Sequence, residues 1–535
     1  MKFLLDHDVP DDVRRILRPS GYLCFVLHAH LPYVRHPEFP EFLEERWLFE
    51  AVRECYLPLL RVLGKRTDVT HKSRITVSLS PTLMAMLDDE LLRQRCARHL
   101  DRVALMAAKE VKRTEGDAVW QPLAKYYESL SALNLDTWRE LGDGDLVSAF
   151  IAAEKSGAME LITTAATHAF LPLWRRHPDA VRRQIDTGIE VFSRRIGHAP
   201  AGFWLPECGY YPGLEVFLAD AGIRYFFLET HGILHAQPAP PHGVVAPLHC
   251  PNGLAAFGRD PESSRQVWSA QDGYPGDFDY REYYHDIGTM LPVNELKQIF
   301  PVADLDTATG FKYLRITGEG KEKEPYHPGR AMEKARLHAI DFLEKKSEQA
   351  AREGAEMEAP PVFVAPYDAE LFGHWWFEGP LFLEAMLQVT DAGGPIAMIT
   401  PSDYLELHPE APEAIPSAST WGARGYNEVW LNDTTAWMYP HLFRAAERAT
   451  MLDDEMHPDL APELQQRLLT QARRELMLAQ SSDWPFMLNA GSHIEYAEKR
   501  VRDHLARFYW LADALKRGKV DEERLRAIEL VDALF

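Results

Sequence analysis

Twice in this chain an apolar run of the kind that forms a buried strand passes through a proline and ends on a carboxylate. One is Gly202-Phe203-Trp204-Leu205-Pro206-Glu207, the other Val362-Phe363-Val364-Ala365-Pro366-Tyr367-Asp368. Acids at the ends of different strands meet at the carboxyl edge of a barrel or an open parallel sheet. A pair so placed is what general-acid and nucleophilic chemistry on a glycosidic bond requires. Taken alone, either motif reads as well as an acid capping the helix that follows a strand.

A chain of 535 residues exceeds what one core usually serves, so two or three domains around a large α/β unit are expected. Its 46% hydrophobic and 26% charged residues are those of an ordinary globular protein. The net charge of -22, from 58 basic and 80 acidic side chains, repels a phosphate backbone and speaks against nucleic acid as partner. A neutral carbohydrate tolerates that field. Cys24, Cys55, Cys96, Cys208 and Cys250 are scattered, odd in number and free of CxxC spacing, which argues against a disulfide framework and for a reducing cytoplasm. Acids and a histidine interrupt the apolar start Met1-Lys2-Phe3-Leu4-Leu5-Asp6-His7-Asp8, and no run long enough to span a membrane follows, so neither export nor a membrane partner is expected.

Along the chain, residues 11 to 17 read as a short amphipathic helix and 23 to 27 as the first strand, closed by His28-Ala29-His30-Leu31-Pro32-Tyr33. Residues 41 to 60 read as helix, 75 to 79 as strand, and 83 to 195 as mainly helical. A turn and helix after Glu207 lead to a strand at 225 to 228, in βαβ grammar, and the Pro/Gly-rich residues 238 to 253 read as a loop near the site. Residues 254 to 290 read as an irregular aromatic excursion, and 341 to 358 as the end of a helix followed by a solvated connector. Residues 397 to 400 give a last core strand, 409 to 419 a boundary, and helical periodicity dominates from Trp421 onward.

His28-Ala29-His30-Leu31-Pro32-Tyr33, Trp204-Leu205-Pro206-Glu207, Tyr367-Asp368-Ala369-Glu370-Leu371-Phe372-Gly373-His374-Trp375-Trp376 and the tryptophan-rich start of the C-terminal region together resemble glycoside hydrolase family 57, in particular its 1,4-α-glucan branching enzymes and related intracellular α-amylases. The resemblance runs from about Gly21 to the C-terminus. It implies an α/β fold: an incomplete (β/α)7 barrel with a small inserted segment and a helical C-terminal domain. The expected division is an extension at 1–20, a catalytic barrel at 21–415 with its insertion around 208–250, and a helical domain at 416–535 that contributes to the glucan groove.

Carried over by motif, Glu207 is the nucleophile and Asp368 the general acid/base of a retaining reaction on α-1,4-glucans, with the carboxyls about 5 to 5.5 Å apart. Negative charge on Glu207 would raise the proton affinity of Asp368. His28, His30 and His374 are expected to hydrogen-bond sugar hydroxyls, and His168 matches a further family histidine near the sugar subsite. A zinc set is the alternative for these histidines, but HExxH is absent and glucan transfer needs no Lewis acid, so no metal or cofactor is expected. Histidines satisfied by backbone groups at the barrel rim are the other alternative. Trp268, Trp421 and Trp430 fall where the family lines its glucan groove, although isolated tryptophans are more often core; Trp375 and Trp376 are expected to wall the acid/base from behind.

The activity expected from the resemblance is α-1,4 cleavage with transfer to form an α-1,6 branch. Family branching enzymes are expected to carry a loop whose tip tyrosine favours transfer over hydrolysis, yet residues 231 to 250 contain no tyrosine. A retaining α-amylase or 4-α-glucanotransferase therefore stays open. A non-catalytic glucan-binding protein would not need both Glu207 and Asp368, and a polysaccharide deacetylase would need an Asp/His/His metal set that these motifs do not assemble. Monomer and homo-oligomer are equally compatible with the sequence.

Overall fold

A computed structural model describes residues 19–66, 72–269, 273–302, 307–318 and 322–535. The helix expected at 11 to 17 and most of the 1–20 extension lie outside the described residues. Nine strands form one sheet: β1 Gly21–Ala29, β2 Ile75–Leu79, β3 Met159–Thr164, β4 Gly202–Trp204, β5 Tyr225–Leu228, β6 Leu248–His249, β7 Ala255–Gly258, β8 Val362–Asp368 and β9 Ile396–Met398. The order is β6-β7-β5-β4-β3-β2-β1-β8, with β9 joined to the first residues of β1. All neighbours are parallel except the β6–β7 pair. The sheet curls until Arg259, just past β7, bridges Val364 in β8, and the Asp260 amide donates to the Val364 carbonyl at 2.8 Å. That single bridge leaves an incomplete barrel of β1, β2, β3, β4, β5, β7 and β8.

Every residue of β1, β2 and β3 is buried, as parallel strands covered on both faces should be. Side chains alternate between faces, and this decides what the barrel encloses. Tyr22, Cys24 and Val26 of β1 pack with Ile162, Trp204, Tyr225, Phe227, Phe257, Val362 and Val364 in an interior cluster, whereas Leu23, Phe25 and Leu27 join the outer core beneath the helices. Continuing that parity, His28 and Asp368 fall on the interior side at the carboxyl ends of β1 and β8, where the register sets them side by side. The first strand thus runs through His28 to Ala29 rather than closing at Leu27, because His28 completes the interior column and finds polar partners there.

Helices cover the outside. Pro at the first turn and a capping side chain start several: Ser80 accepts from the Leu83 amide, and Thr400 with Asp403 forms a capping box. The expected helix at 41 to 60 begins at Glu45 and contains a π-helical turn, Val52–Tyr56, before continuing as Leu57–Gly64. Residues 83 to 195 are mainly helical, as expected, and the strand among them is β3, whose apolar run is interrupted by Glu160, Thr163 and Thr164, all buried. Two expectations are corrected. Residues 254 to 290 open with β7 and the helix Pro261–Trp268, so only the remainder is irregular. Residues 341 to 353 continue the helix Pro328–Glu353 rather than forming a solvated connector, and Lys346 on it is wholly buried, its ammonium 2.6 Å from Asp260.

Beyond residue 430 the described chain is helical: Tyr439–Ala449, Pro462–Ala479, Asp483–Ala490, Ile494–Arg517 and Glu522–Val531. Pro462–Ala479 packs against Ile494–Arg517 over an apolar seam that includes Leu468, Leu476, Val501 and Phe508. Among these helices Glu475, His504 and Asp532 are buried together, and Arg507 bridges Asp532.

Candidate active site

Strand β4 ends at Trp204, and the chain then folds tightly, the Cys208 amide donating to the Leu205 carbonyl at 2.9 Å. Glu207 is thereby held at φ 62°, ψ 23°, a left-handed conformation costing a non-glycine residue about 1–3 kcal/mol. His168 shares it, at φ 56°. Such strain persists where surrounding bonds over-determine it. Here the Trp421 amide donates to the Glu207 carbonyl at 3.1 Å, the Trp421 indole N–H to Oε2 at 2.8 Å, and the Ser482 hydroxyl to Oε1 at 2.9 Å.

The Ser482 hydroxyl, having donated its proton to Glu207, must accept from His168 Nδ1 at 2.8 Å. His168 Nε2 is then an acceptor and meets His28 Nε2–H at 2.9 Å, which leaves His28 Nδ1 to accept from Ser78 at 3.1 Å. Donor accounting along this line assigns both tautomers, each ring neutral. Burial, followed by the neighbouring histidines, lowers both pKa values well below the ordinary imidazole value, in keeping with that assignment. His30 stacks on His168, ring centroids 3.9 Å apart, and lies between Ser80 Oγ at 2.9 Å and Asp483 Oδ2 at 3.2 Å. Both nitrogens of all three rings are therefore engaged.

The two carboxyls differ in what surrounds them. Burial pushes Glu207 up to about 7, against the pull of Trp421 and Ser482 and a smaller contribution from the Trp430 indole, which falls short of hydrogen-bond geometry. Burial and then the Glu207 charge push Asp368 up to about 7, opposed by His30 and Arg259. Donors stabilise a carboxylate, and uncompensated burial stabilises a carboxylic acid. Both carboxyls are pushed to about 7, and they differ in their partners: Glu207 accepts two side-chain hydrogen bonds, whereas Asp368 is raised by burial and the Glu207 charge.

The structure brings His28, His30, His168, Trp421 and Glu207 into one connected cluster and sets Asp368 beside His28. Trp430 is buried at its edge, stacked on Phe170 at 4.2 Å, and Trp421 packs edge-on to Trp204 at 5.0 Å. His374 enters a different network: its Nδ1 bonds Glu54 at 2.7 Å and its Nε2 the Tyr283 hydroxyl at 3.1 Å. Trp268 ends its helix 42% exposed, with no described bond or ring contact to either carboxyl. Trp376 is buried against Phe372 and Phe382, while Trp375 stands out from the surface.

Sequence reasoning missed several neighbours. Arg259 follows β7 as Glu207 and Asp368 follow their strands; it pairs with Glu229 at 2.8 Å and lies 5.7 Å from the Trp421 ring. The same signal, strand then charge, would have found it. Glu370 receives the Tyr56 hydroxyl and is pushed up to about 8 by burial and its closeness to Asp368. Ser482 and Asp483 begin a helix far along the chain and carry no local mark.

Charged groups at the carboxyl ends of parallel barrel strands, with a paired-carboxyl core and aromatic walls, define the class as a barrel enzyme of carbohydrate chemistry. Residues 24–416 match the profile of glycosyl hydrolase family 57, and residues 441–535 that of the C-terminal region of 1,4-alpha-glucan branching enzymes. The chain belongs to glycosyl hydrolase family 57. It is 41% identical to the alpha-amylase AmyC of Thermotoga maritima, whose crystal structure superposes with a TM-score of 0.88 over 96% of this chain and 97% of that one. It is 32% identical over 551 residues to a 1,4-alpha-glucan branching enzyme of Thermococcus kodakarensis, covering 96% of this chain and 77% of that protein. The crystal structure of a branching enzyme from Pyrococcus horikoshii, 33% identical, superposes with a TM-score of 0.85 over 96% of this chain and 95% of that one.

Proposed function

We propose that this protein is a 1,4-α-glucan branching enzyme in which Glu207 is the nucleophile and Asp368 the general acid/base. The observation that carries the assignment of roles is the asymmetry of the pair: two side chains donate to Glu207, while burial and the Glu207 charge favour the protonated form of Asp368. The branching enzymes among the relatives and the C-terminal profile match support the transfer.

In the first half of the reaction a Glu207 oxygen forms a bond to the anomeric carbon as the bond from that carbon to the 4-oxygen of the departing chain breaks. The Asp368 proton goes to that 4-oxygen. In the second half Asp368, now a carboxylate, takes the proton from the 6-hydroxyl of a glucan chain whose oxygen attacks the anomeric carbon, and Glu207 leaves. Trp421 and Ser482 hold Glu207 in place throughout, and their bonds also stabilise it as a leaving group. Two inversions give net retention and an α-1,6 branch.

The substrate is an α-1,4-glucan such as amylose, amylopectin or glycogen. The segment 208–250, expected as an insertion, carries the barrel strand β5 and belongs to the barrel itself. In this reading residues 21–415 are the catalytic barrel, 1–20 an extension, and 416–535 a helical domain that completes the site. The last point is supported by Trp421, Ser482 and Asp483 reaching the cluster around Glu207. A cytoplasmic location fits five free, buried cysteines, and no described helix is long and apolar enough to cross a membrane.

Hydrolysis is the second reading, favoured by the absence of tyrosine from residues 231 to 250 and by the likeness to an alpha-amylase. The two are separated by incubating the protein with amylose and counting new α-1,6 linkages and new reducing ends in one sample. Branches well in excess of reducing ends are expected; reducing ends without branches would replace branching by hydrolysis.

A further inference from the structure

We propose that Trp375, with Tyr283 and Tyr284, forms a stacking platform for a glucan chain on the barrel rim. This rests on the glucan reading above. Of the adjacent pair after Asp368, Trp376 turns inward and is buried, whereas the Trp375 indole is 55% exposed and Tyr284 79% exposed. Large aromatic surface left in water is unfavourable by burial energetics alone, and here it is held rather than loose.

Trp375 lies nearly flat on Tyr283, ring centroids 4.4 Å apart and planes 21° from parallel, and Tyr284 meets Tyr283 edge-on at 5.2 Å. Tyr283 is fixed from behind: its hydroxyl meets His374, His374 bonds Glu54, and the Lys312 ammonium sits 3.8 Å from the ring centroid. The turn carrying Trp375 is itself tied back, the Trp375 amide to the Glu370 carbonyl at 3.3 Å and the Gly373 amide to the Trp376 carbonyl at 2.8 Å.

The turn leaves the carboxyl end of β8, so the platform stands on the rim that carries Asp368. Pyranose rings present flat C–H faces that pack on indole and phenol rings without demanding fixed hydroxyl contacts, so a rigid, outward aromatic surface suits successive glucose units of a neutral chain. His374, matched by motif to substrate binding, acts in this arrangement as the post behind Tyr283.

The test is retardation of the full-length chain in native gels cast with amylose, using Glu207→Gln as parent so that the glucan is not consumed. Adding Trp375→Ala or Tyr284→Ala is expected to weaken apparent affinity about five- to tenfold, with Trp375→Phe recovering part of the loss. Tyr509→Ala, an exposed aromatic on the helix Ile494–Arg517, should leave affinity unchanged. Because Tyr284 is almost fully solvated, its replacement tests the platform without risk to folding. A retarded parent with equally retarded Trp375 and Tyr284 variants would overturn the platform alone. A parent that is not retarded would overturn the platform and the glucan reading together.

Discussion

At the scale of single residues, the proposed division of labour between Glu207 and Asp368 comes down to who donates to whom. Glu207 must be ionised to attack, so activity falls as pH drops through its pKa, which burial pushes up to about 7. The Ser482 hydroxyl stabilises the charged form, so Ser482→Ala raises that pKa further. The acidic limb of the kcat/KM profile then moves to higher pH, and the rate at mildly acidic pH falls about tenfold. A pH–rate series on the purified variant checks this, and a limb that stays put or moves to lower pH would contradict it. Glu207, Asp368, His28 and His30 were legible because each follows a strand-like run, whereas His168 and His374 were reached only through the family motifs. Ser482 and Asp483 were not, since a serine and an aspartate at a helix start have ordinary capping roles and only tertiary folding brings them to the site.

At the scale of elements, the π-helical turn Val52–Tyr56 holds the segment that carries Asp368. Cys55 Sγ lies 2.8 Å from the Ala369 carbonyl, the Tyr56 hydroxyl bonds Glu370, and Glu54 bonds His374. Gly373 closes the contact: at φ +117°, a Cβ there would stand 1.9 Å from the Glu54 carbonyl oxygen. Gly373→Ala therefore meets both a left-handed backbone and a backbone clash, and is expected to destabilise by about 3 kcal/mol or more. Chemical denaturation measures it; an unchanged midpoint would show that the turn and the β8 segment do not depend on this approach. The strands β2, β5 and β8 were legible from apolar runs bounded by turns, and β3 was hidden because Glu160, Thr163 and Thr164 interrupt its apolar run although all three are buried. Lys346 misled because a lysine among acids reads as surface, whereas the fold pairs it inside with Asp260 beside the β7–β8 bridge.

At the scale of the whole molecule, closing the sheet from β7 to β8 and laying the C-terminal helices against its carboxyl edge completes one site from distant stretches of chain. Acids at the carboxyl edge of a barrel or open parallel sheet were legible because strands ending on charged residues repeat a pattern, while the incomplete barrel itself came from the family resemblance. The crossing of the C-terminal helices onto the rim was not, because nothing local marks which faces will meet. In the proposed mechanism Glu207 forms a bond to sugar, and that bond can be weighed. With Asp368→Ala, maltotriosyl fluoride needs no acid to lose fluoride, and no carboxylate remains to activate the acceptor, so the covalent intermediate should accumulate. Mass spectrometry of the digested protein is predicted to find a maltotriosyl adduct on the peptide containing Glu207, whereas an adduct on another residue, or fluoride release with no adduct and an inverted product, would contradict the account.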